Sequence, residues 1–595
     1  MTETALIDFA DPRDPAGPRL RHAFGPPRAV LAARALHEVR PVLQAVEAAA
    51  RAGAWVLGCL RYEAAPAFDA AFATHAPDGP LAWFTVHDAP LPWPEAGPQG
   101  EATVHWHTLP GRAAFDAALV RIQQAIGEGV LYQVNHTAPL RGRLEGDARA
   151  LFDALLRAQP GGYAACIDGG DGARVLSVSP ELFFDWRAGP QGTGEILARP
   201  MKGTAARGAT PDDDARQAER LRASAKERAE NVMIVDLLRN DLSRIAEPHS
   251  VRVPALFHTQ PLPTVWQMTS DVVARTRAGT GLADVFGALF PCGSITGAPK
   301  VQAMRMVRAL EDAPRGVYCG AVGVVRPDGA GGIAATFNVP IRTVELRGGE
   351  ARCGIGSGIV WGADPAAEWR EWAAKRAFVE RASQPFDLLE TLGLHGGRFR
   401  HRGEHLARMQ AGAAHFGYPW DAPRVQACLD ALAARHPQGA WRVRLLLDRY
   451  GQPRAEAFAL QDTAVPVRLA LADRPFAEAR GEFTRHKTTH RAHYAAFAPA
   501  AGAGVFDTVL YNEAGEITEC TFGNLAMRLD GRWVTPPLSC GLLPGVGRAV
   551  ALREGRMAEA VVRLADVPRV EQWAFVNSLR GWLPATLASA KAGTA

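Results

Sequence analysis

The sequence predicts an α+β protein in two parts. Strand-like alternation and helical periodicity both recur along it. Its 595 residues exceed what a single hydrophobic core accommodates, and its texture changes at Ser383-Gln384-Pro385. Length alone allows about three to five domain-sized units. The texture change separates residues 1–382 from 386–595, and 1–110 form an N-terminal portion ahead of the motif-bearing stretch 111–382.

In chain order, residues 1–100 mix short apolar runs with Pro-rich stretches, and HDAPLPWPEAGPQG predicts a surface loop. From Phe115, FDAALVRIQQAIGEGVLYQVN has helical spacing, then Gly punctuation, then alternation. ARVLSVSPELFFDW is strand material rich in Val and Phe. DDARQAERLRASAKERAENVMIVDLLRNDLSRI reads as one long helix, with apolar residues every three or four positions. GAVGVVRP and FNVPIRTVEL are strand-like, and Gly-rich CGIGSGIVWG precedes a helix, PAAEWREWAAKRAFVERA. Beyond the boundary, FDLLETLGLHGGRFR predicts a hairpin with a His-Gly-Gly turn and GEHLARMQAGAAHFG a helix. WRVRLLLDRYGQPRAEAFAL repeats the strand-turn-strand signal.

Composition narrows the function classes. Hydrophobic residues at 47% and charged residues at 22% describe an ordinary soluble globular protein. A net charge of +4, without Lys/Arg clusters interleaved with aromatics, does not point to nucleic acid. The opening MTETALIDFADPRDP lacks the apolar core of a signal peptide. No apolar run approaches the ~20 residues of a membrane-spanning helix. Eight cysteines without a CxxC pair suit reduced thiols in the cytoplasm rather than disulfides or a zinc site.

Only six lysines occur, Lys202, Lys226, Lys300, Lys375, Lys487 and Lys591, so 66 − 6 leaves 60 arginines. Guanidinium stays protonated and is a poor nucleophile, whereas a buried amine loses its proton and attacks carbon. A lysine kept against this bias hints that an amine is needed; the alternative is chance retention on a solvated face. Glu227 and Glu230 in KERAEN, and Glu368 and Glu371 in AEWRE, each share a helix face at i, i+3. Carboxylates from two helices converging on one point would make a Mg²⁺ site; alternatively they are solvated faces paired with Arg228 and Arg370. CGIGSG and SITGAPK could bring backbone amides to an anion or mark turns. Arg342, in the apolar strand VPIRTV, calls for an anionic partner.

SPELFF, PMKGTAARG, KERAENVMIVDLLRNDLSRI, LFPCGSITGAPKVQAM, GVYCGAVG, FNVPIRT and GIGSGIVWGADPAAEWRE follow the order seen in the chorismate-utilising enzymes. The stretch from Phe115 to Arg381 resembles the aminodeoxychorismate synthase component I family, relatives of anthranilate synthase component I. Residues 1–100 fit loosely, through GCLRYE. The resemblance implies a chorismate-utilising fold of mixed and antiparallel sheets with flanking helices. It implies that Lys202 attacks C2 of chorismate as the C4 hydroxyl leaves, that Glu181 protonates that hydroxyl, and that ammonia then adds at C4 and expels the lysine. Glu230 and Glu371 match direct Mg²⁺ ligands, with Glu227 and Glu368 close by through water. Tyr318, Arg342, Thr296 and amides near Gly356 match the substrate-binding set. Gln267 stands where many relatives carry a histidine that assists pyruvate loss, which favours amination without elimination.

Around Lys487 and beyond, RHKTTHRAHY, ITECTFGNL, LLPGVGR and NSLRGW resemble the fold-type IV pyridoxal-phosphate enzymes, over Phe386 to about Ser589. The resemblance implies a two-subdomain fold in which Lys487 holds pyridoxal 5′-phosphate (PLP) covalently and Glu519 keeps its pyridinium nitrogen protonated. Arg408, amides of Val546 and Gly547, and the Ser578 hydroxyl would hold its phosphate. Such motifs do not separate a lyase from a transaminase; the fusion favours an aminodeoxychorismate lyase, giving 4-aminobenzoate, a folate precursor, from chorismate in two steps. Cys292 lies inside the chorismate motif and no glutaminase nucleophile motif is seen, so a separate glutamine amidotransferase subunit is the expected source of ammonia. A homodimer through the second part is implied by resemblance. The rival readings are an aminodeoxychorismate, anthranilate or isochorismate-type synthase fused to an amino-acid transaminase, and a catalytically dead scaffold for a glutaminase.

Overall fold

A computed structural model describes residues 3–588 apart from 15, 96–99, 109–110, 171, 209–210, 263–264 and 501; part of the Pro-rich loop and Lys591 lie outside the described residues. The chain divides into two units, Met1–Pro385 and Phe386–Ala595.

In the first unit the described strands form a nine-stranded and a ten-stranded sheet. Period-two alternation gives each sheet an apolar inner face. Ile7, Phe9 and Ile167 of the first meet Leu57, Val322 and Val324 of the second in one buried cluster. Helix Leu36–Arg51 covers the outer face of the ten-stranded sheet with Val39, Leu43 and Val46. Phe286, from helix Leu282–Leu289, packs there edge-on to Phe184 and Phe337 at 5.3 and 5.0 Å. Helices Arg112–Gly127, Ala148–Ala158 and Pro365–Ser383 cover the other sheet through Phe115, Leu151, Phe152, Leu155 and Trp372. Each such fully buried side chain contributes about 1.5–3 kcal/mol.

Twice the chain leaves one sheet for the other, and both crossings matter for function. Ala173–Ser179 lies in the first sheet and Leu182–Ala188 in the second, so Pro180 and Glu181 form the crossing. FNVPIRTVEL is likewise two strands, Ile333–Asn338 and Thr343–Arg347, one in each sheet. Pro340 has no N–H to give a ladder, and Arg342 sits at φ 52°, in the left-handed region. Arg342 is thus in a bend, not in a strand as expected. The crossings are tied together: the Ser179 hydroxyl donates to the Val339 carbonyl at 2.5 Å, and the Val339 N–H donates to the Glu181 carbonyl at 3.0 Å.

The expected long helix is two helices, Pro211–Ala223 and Ala225–Ser243. Ser224 breaks it by adopting an extended backbone and accepting the Glu227 N–H on its hydroxyl, which makes it the N-cap of the second helix. CGIGSGIVWG is part of a strand, Glu350–Val360, paired antiparallel with Gln133–Gly146.

The second unit has the two expected subdomains. The first is a four-stranded antiparallel sheet with helices Arg402–Phe416 and Ala422–Arg435. Its hairpin Leu388–His395/Arg398–Phe399 turns at Gly396 and Gly397, with φ of 53° and 74°. The second subdomain is an eight-stranded mixed sheet.

Candidate active sites

The sheet crossings of the first unit open onto a cavity of about 190 Å³. Its wall brings together Glu181, Lys202, Glu227, Glu230, Tyr318, Arg342, Gly356, Glu368 and Glu371, all predicted from the sequence. Thr296 is the exception. It is fully buried and is absent from this wall, and its hydroxyl donates to the Cys292 carbonyl at 2.9 Å. Its side chain closes a turn of its own segment instead of reaching a ligand.

Each side chain arrives for a local reason. Glu181 is fixed by the Ser294 hydroxyl, which donates to it at 2.7 Å. Lys202 points its ammonium to Gly358, where a Cβ would stand 2.9 Å from Nζ and 2.4 Å from the Gln133 amide nitrogen. Both ExxE pairs lie in the first two turns of capped helices: Ser224 caps one, and Asp364, accepting the Ala367 N–H at 2.7 Å, caps the other. The positive end of each helix dipole favours carboxylates there. The Thr137 N–H turns outward to donate to Glu311 at 3.0 Å, so Thr137 and its partner Gly356 form a non-hydrogen-bonded pair. The Gly356 N–H therefore points away from that strand, and the Gly356 carbonyl accepts from Lys375 at 2.9 Å.

The electrostatics are those of a reactive site. Burial pushes the Glu181 carboxyl up, against the Ser294 hydrogen bond and the pull of Lys202. Burial also pulls Lys202 down, against the attraction of Glu230. Both shifts favour the neutral forms, a carboxylic acid beside a free amine. Burial pushes Glu227, Glu230 and Glu368 up as well, and their mutual repulsion adds to it. Glu371 is driven up by burial but held below its ordinary value by Lys375, 2.6 Å away. Arg342 forms no ion pair among the described residues; its guanidinium donates to Gln159 and lies 5.6 Å over the Phe378 ring. Burial drops it to about 10. The anionic partner expected for it from the sequence is thus not a protein carboxylate.

The cavity wall carries five carboxylates against three lysines and one arginine. That oxygen-donor set suits a hard divalent cation. Among the described residues no three His, Cys, Asp or Glu side chains close into a ready metal cluster. Like charges keep apart when no cation joins them, and Lys226 and Lys375 stand at Glu230 (3.9 Å) and Glu371. The paired arginines of the alternative reading do not act so: Arg228 stacks on Phe257 at 4.6 Å. Lys226, Lys375, Gln133 and Ser294 went unrecognised in the sequence. For the two lysines the signal was present, since the scarcity that marks Lys202 marks them equally.

A second cavity, of about 420 Å³, lies in the second unit and is lined by Arg408, Lys487, Glu519, Val546, Gly547 and Ser578. Lys487 is held to the first subdomain by the Leu389 N–H, which donates to its carbonyl at 3.0 Å. Burial, with Arg491 and Arg408 adding to it, brings its amine down to about 7. Glu519, on strand Ile517–Cys520, accepts from the Tyr494 hydroxyl at 2.7 Å and the Leu543 N–H at 3.1 Å; burial carries it up to about 8. Helix Val546–Arg553 aims its unpaired first amides into the cavity edge. A Cβ at Gly547 would meet the Asn577 carbonyl carbon at 2.5 Å and the Ser578 nitrogen at 2.7 Å, so only glycine lets these backbones close. Arg408 is oriented by Glu390 at 2.6 and 2.8 Å, and His405 bridges Glu390 (2.6 Å) to the Ser578 hydroxyl (2.8 Å). Glu390 and His405 were missed in the sequence; a glutamate inside the apolar FDLLETL was the available signal.

Amine, buried carboxyl and a helix N-terminus with an arginine fit the three ends of PLP. Residues 13–381 match the chorismate binding enzyme family, and the chain belongs to it. Residues 387–588 match the class IV amino-transferase family. The first part is 40% identical over 300 residues to aminodeoxychorismate synthase component 1 of Klebsiella aerogenes, covering 50% of this chain and 63% of that one. It is 37% identical over 313 residues to that of Salmonella typhimurium, covering 53% and 65%. The chain thus spans a little under two thirds of these relatives' length. Anthranilate synthase component I from Streptococcus pneumoniae shares the fold, with a TM-score of 0.50 and 20% identity over 64% of this chain and 91% of that one.

Proposed function

We propose that the chain makes 4-aminobenzoate from chorismate in two steps, one in each unit. The observation that carries the first step is Lys202, a buried amine shifted toward its free-base form, in one cavity with Glu181, a buried carboxyl shifted toward its acid form. The amine of Lys202 attacks C2 of chorismate, the ring electrons move, and the C4 hydroxyl leaves as water on taking the Glu181 proton. Ammonia adds at C4 and Lys202 departs, giving 4-amino-4-deoxychorismate. Arg342, Tyr318 and the Gly356 amide hold the enolpyruvyl carboxylate. Glu230 and Glu371, with Glu227 and Glu368 behind them, would hold a Mg²⁺ ion that neutralises the ring carboxylate.

In the second unit Arg408, Ser578 and the Val546 and Gly547 amides would hold the phosphate of PLP, Lys487 its aldehyde carbon and Glu519 its ring nitrogen. When bound, PLP draws electrons from the carbon bearing the amine. Lys487, displaced by that amine, takes the C4 proton, and pyruvate leaves to give the aromatic ring. Gln267, hydrogen-bonded to the Thr204 hydroxyl at 3.2 Å in the first cavity, occupies the place of a general base and leaves pyruvate elimination to the second unit. A separate glutamine amidotransferase supplies the ammonia, and eight unpaired thiols suit the cytoplasm.

The test is product analysis with chorismate, ammonium, Mg²⁺ and PLP. Wild type is expected to release 4-aminobenzoate and pyruvate, Lys202→Ala neither, and Lys487→Ala to stop at aminodeoxychorismate. Anthranilate as the product, or aminodeoxychorismate accumulating in wild type, contradicts the assignment of the first or second unit respectively.

A further inference from the structure

The cavity of the second unit carries more positive charge than a PLP phosphate uses. Its wall holds Arg408, Arg442, Lys487, Arg491 and Arg580 against one carboxylate, Glu519. Arg408 is matched by Glu390. The other three arginines have no carboxylate partner among the described residues. Arg491 donates to the Thr521 carbonyl at 2.5 Å and lies 4.4 Å over the Tyr494 ring. Arg580 donates to the Gln461 carbonyl at 3.2 Å and to the Thr463 hydroxyl. Arg442 lies 4.8 Å over the Phe458 ring.

Carbonyls, hydroxyls and rings orient a guanidinium without cancelling its charge, and each of these groups keeps N–H donors free. Three like charges around one concave wall repel one another until anions arrive. Arg491 is the best placed, because it stacks on the same Tyr494 whose hydroxyl is bonded to Glu519. It therefore borders the space between Lys487 and Glu519, where the ring of PLP and the amine it holds would lie. A monocarboxylic amino acid would use one such arginine and leave the others unmatched.

We infer that Arg442, Arg491 and Arg580 form a dicarboxylate-recognition wall, so that the amine taken by this cavity carries two carboxylates. Naming that amine as aminodeoxychorismate, with its ring and enolpyruvyl carboxylates, rests on the proposed function; the charge count does not. The wall sets specificity: these arginines position the substrate, while Lys487 moves the proton.

The experiment uses the full chain loaded with PLP, with Arg442→Gln, Arg491→Gln, Arg580→Gln and the charge-preserving Arg491→Lys. Isophthalate, two carboxylates on one ring, and benzoate are titrated against the cofactor absorbance. Wild type is expected to bind isophthalate at least about tenfold more tightly than benzoate. Each Gln variant should weaken isophthalate by about tenfold, the size of one lost charge-assisted hydrogen bond. Benzoate binding, the cofactor band and the melting temperature should move little, and Arg491→Lys should fall between wild type and Arg491→Gln. Equal affinities for the two anions in wild type, or isophthalate binding unmoved in all three Gln variants, overturns the wall. The same proteins are assayed for pyruvate release from aminodeoxychorismate. Preference for isophthalate without pyruvate release keeps the wall and removes the lyase; pyruvate release without that preference removes the wall alone.

Discussion

Gly358 leaves no room for a side chain, because a Cβ there would press on Lys202 Nζ and on the buried Gln133 amide, which has no hydrogen-bond partner. Gly358→Ala should therefore displace the amine and cut chorismate consumption by tenfold or more, a shift of about 1.4 kcal/mol in barrier. PLP binding should stay unaltered. Wild-type turnover in this variant would mean that Lys202 acts from elsewhere. Lys487 yields a prediction in pH. Its amine lies at about 7 rather than its ordinary 10.5. Between those values the unfolded chain carries a proton that the native chain lacks, so in cofactor-free protein this group adds stability as pH rises from about 7 and changes nothing below. The free amine is also the nucleophile. PLP capture by cofactor-free protein, followed by absorbance, should rise with a midpoint near 7; a midpoint near the ordinary lysine value would put the amine in water. At this scale the sequence was most readable, because lysines so rare beside arginine stand out as chemistry. It was least readable at Thr296, whose motif position is right but whose hydroxyl serves its own turn.

The helix N-termini carry the glutamates of the first cavity, and their caps set where those glutamates stand. Removing Ser224 or Asp364 as cap costs about 1 kcal/mol of helix stability. Ser224→Ala and Asp364→Ala should each lower the melting temperature of the first unit by a few degrees and raise the Mg²⁺ concentration needed for half-maximal chorismate turnover. Variants that melt earlier with unchanged Mg²⁺ dependence would separate the caps from the metal. The break at Ser224 was written in the chain as Ser-Ala-Lys-Glu, a capping-box spacing. Apolar periodicity continues across it and hides it, which is why one helix was expected there. The two sheet crossings were less legible. Alternation identifies a strand and its inward face, but FNVPIRTVEL contains nothing that says its halves belong to different sheets. Only the closed tertiary pairings decide that, and with them the bend that aims Arg342 at the cavity.

Each cavity is built wholly from residues of its own unit: the first from Asn135 to Phe378, the second from Leu389 to Arg580. Neither set of lining side chains needs the other to be complete. Fusion therefore brings two sites onto one chain without sharing a catalytic group, and its effect is on the local concentration of the intermediate. That separation has a consequence in mixtures of variants. Lys202→Ala retains the second site and Lys487→Ala retains the first, so neither protein alone should make 4-aminobenzoate from chorismate. Mixed, they should make it after a lag, because aminodeoxychorismate released by one chain can reach the second site of another. The lag should shorten in proportion to the concentration of Lys202→Ala protein, as a bimolecular encounter requires, whereas wild type should show a lag insensitive to added Lys202→Ala. No product from the mixture, with each variant folded and the second loaded with PLP where its lysine remains, would mean that the intermediate never leaves the chain that forms it.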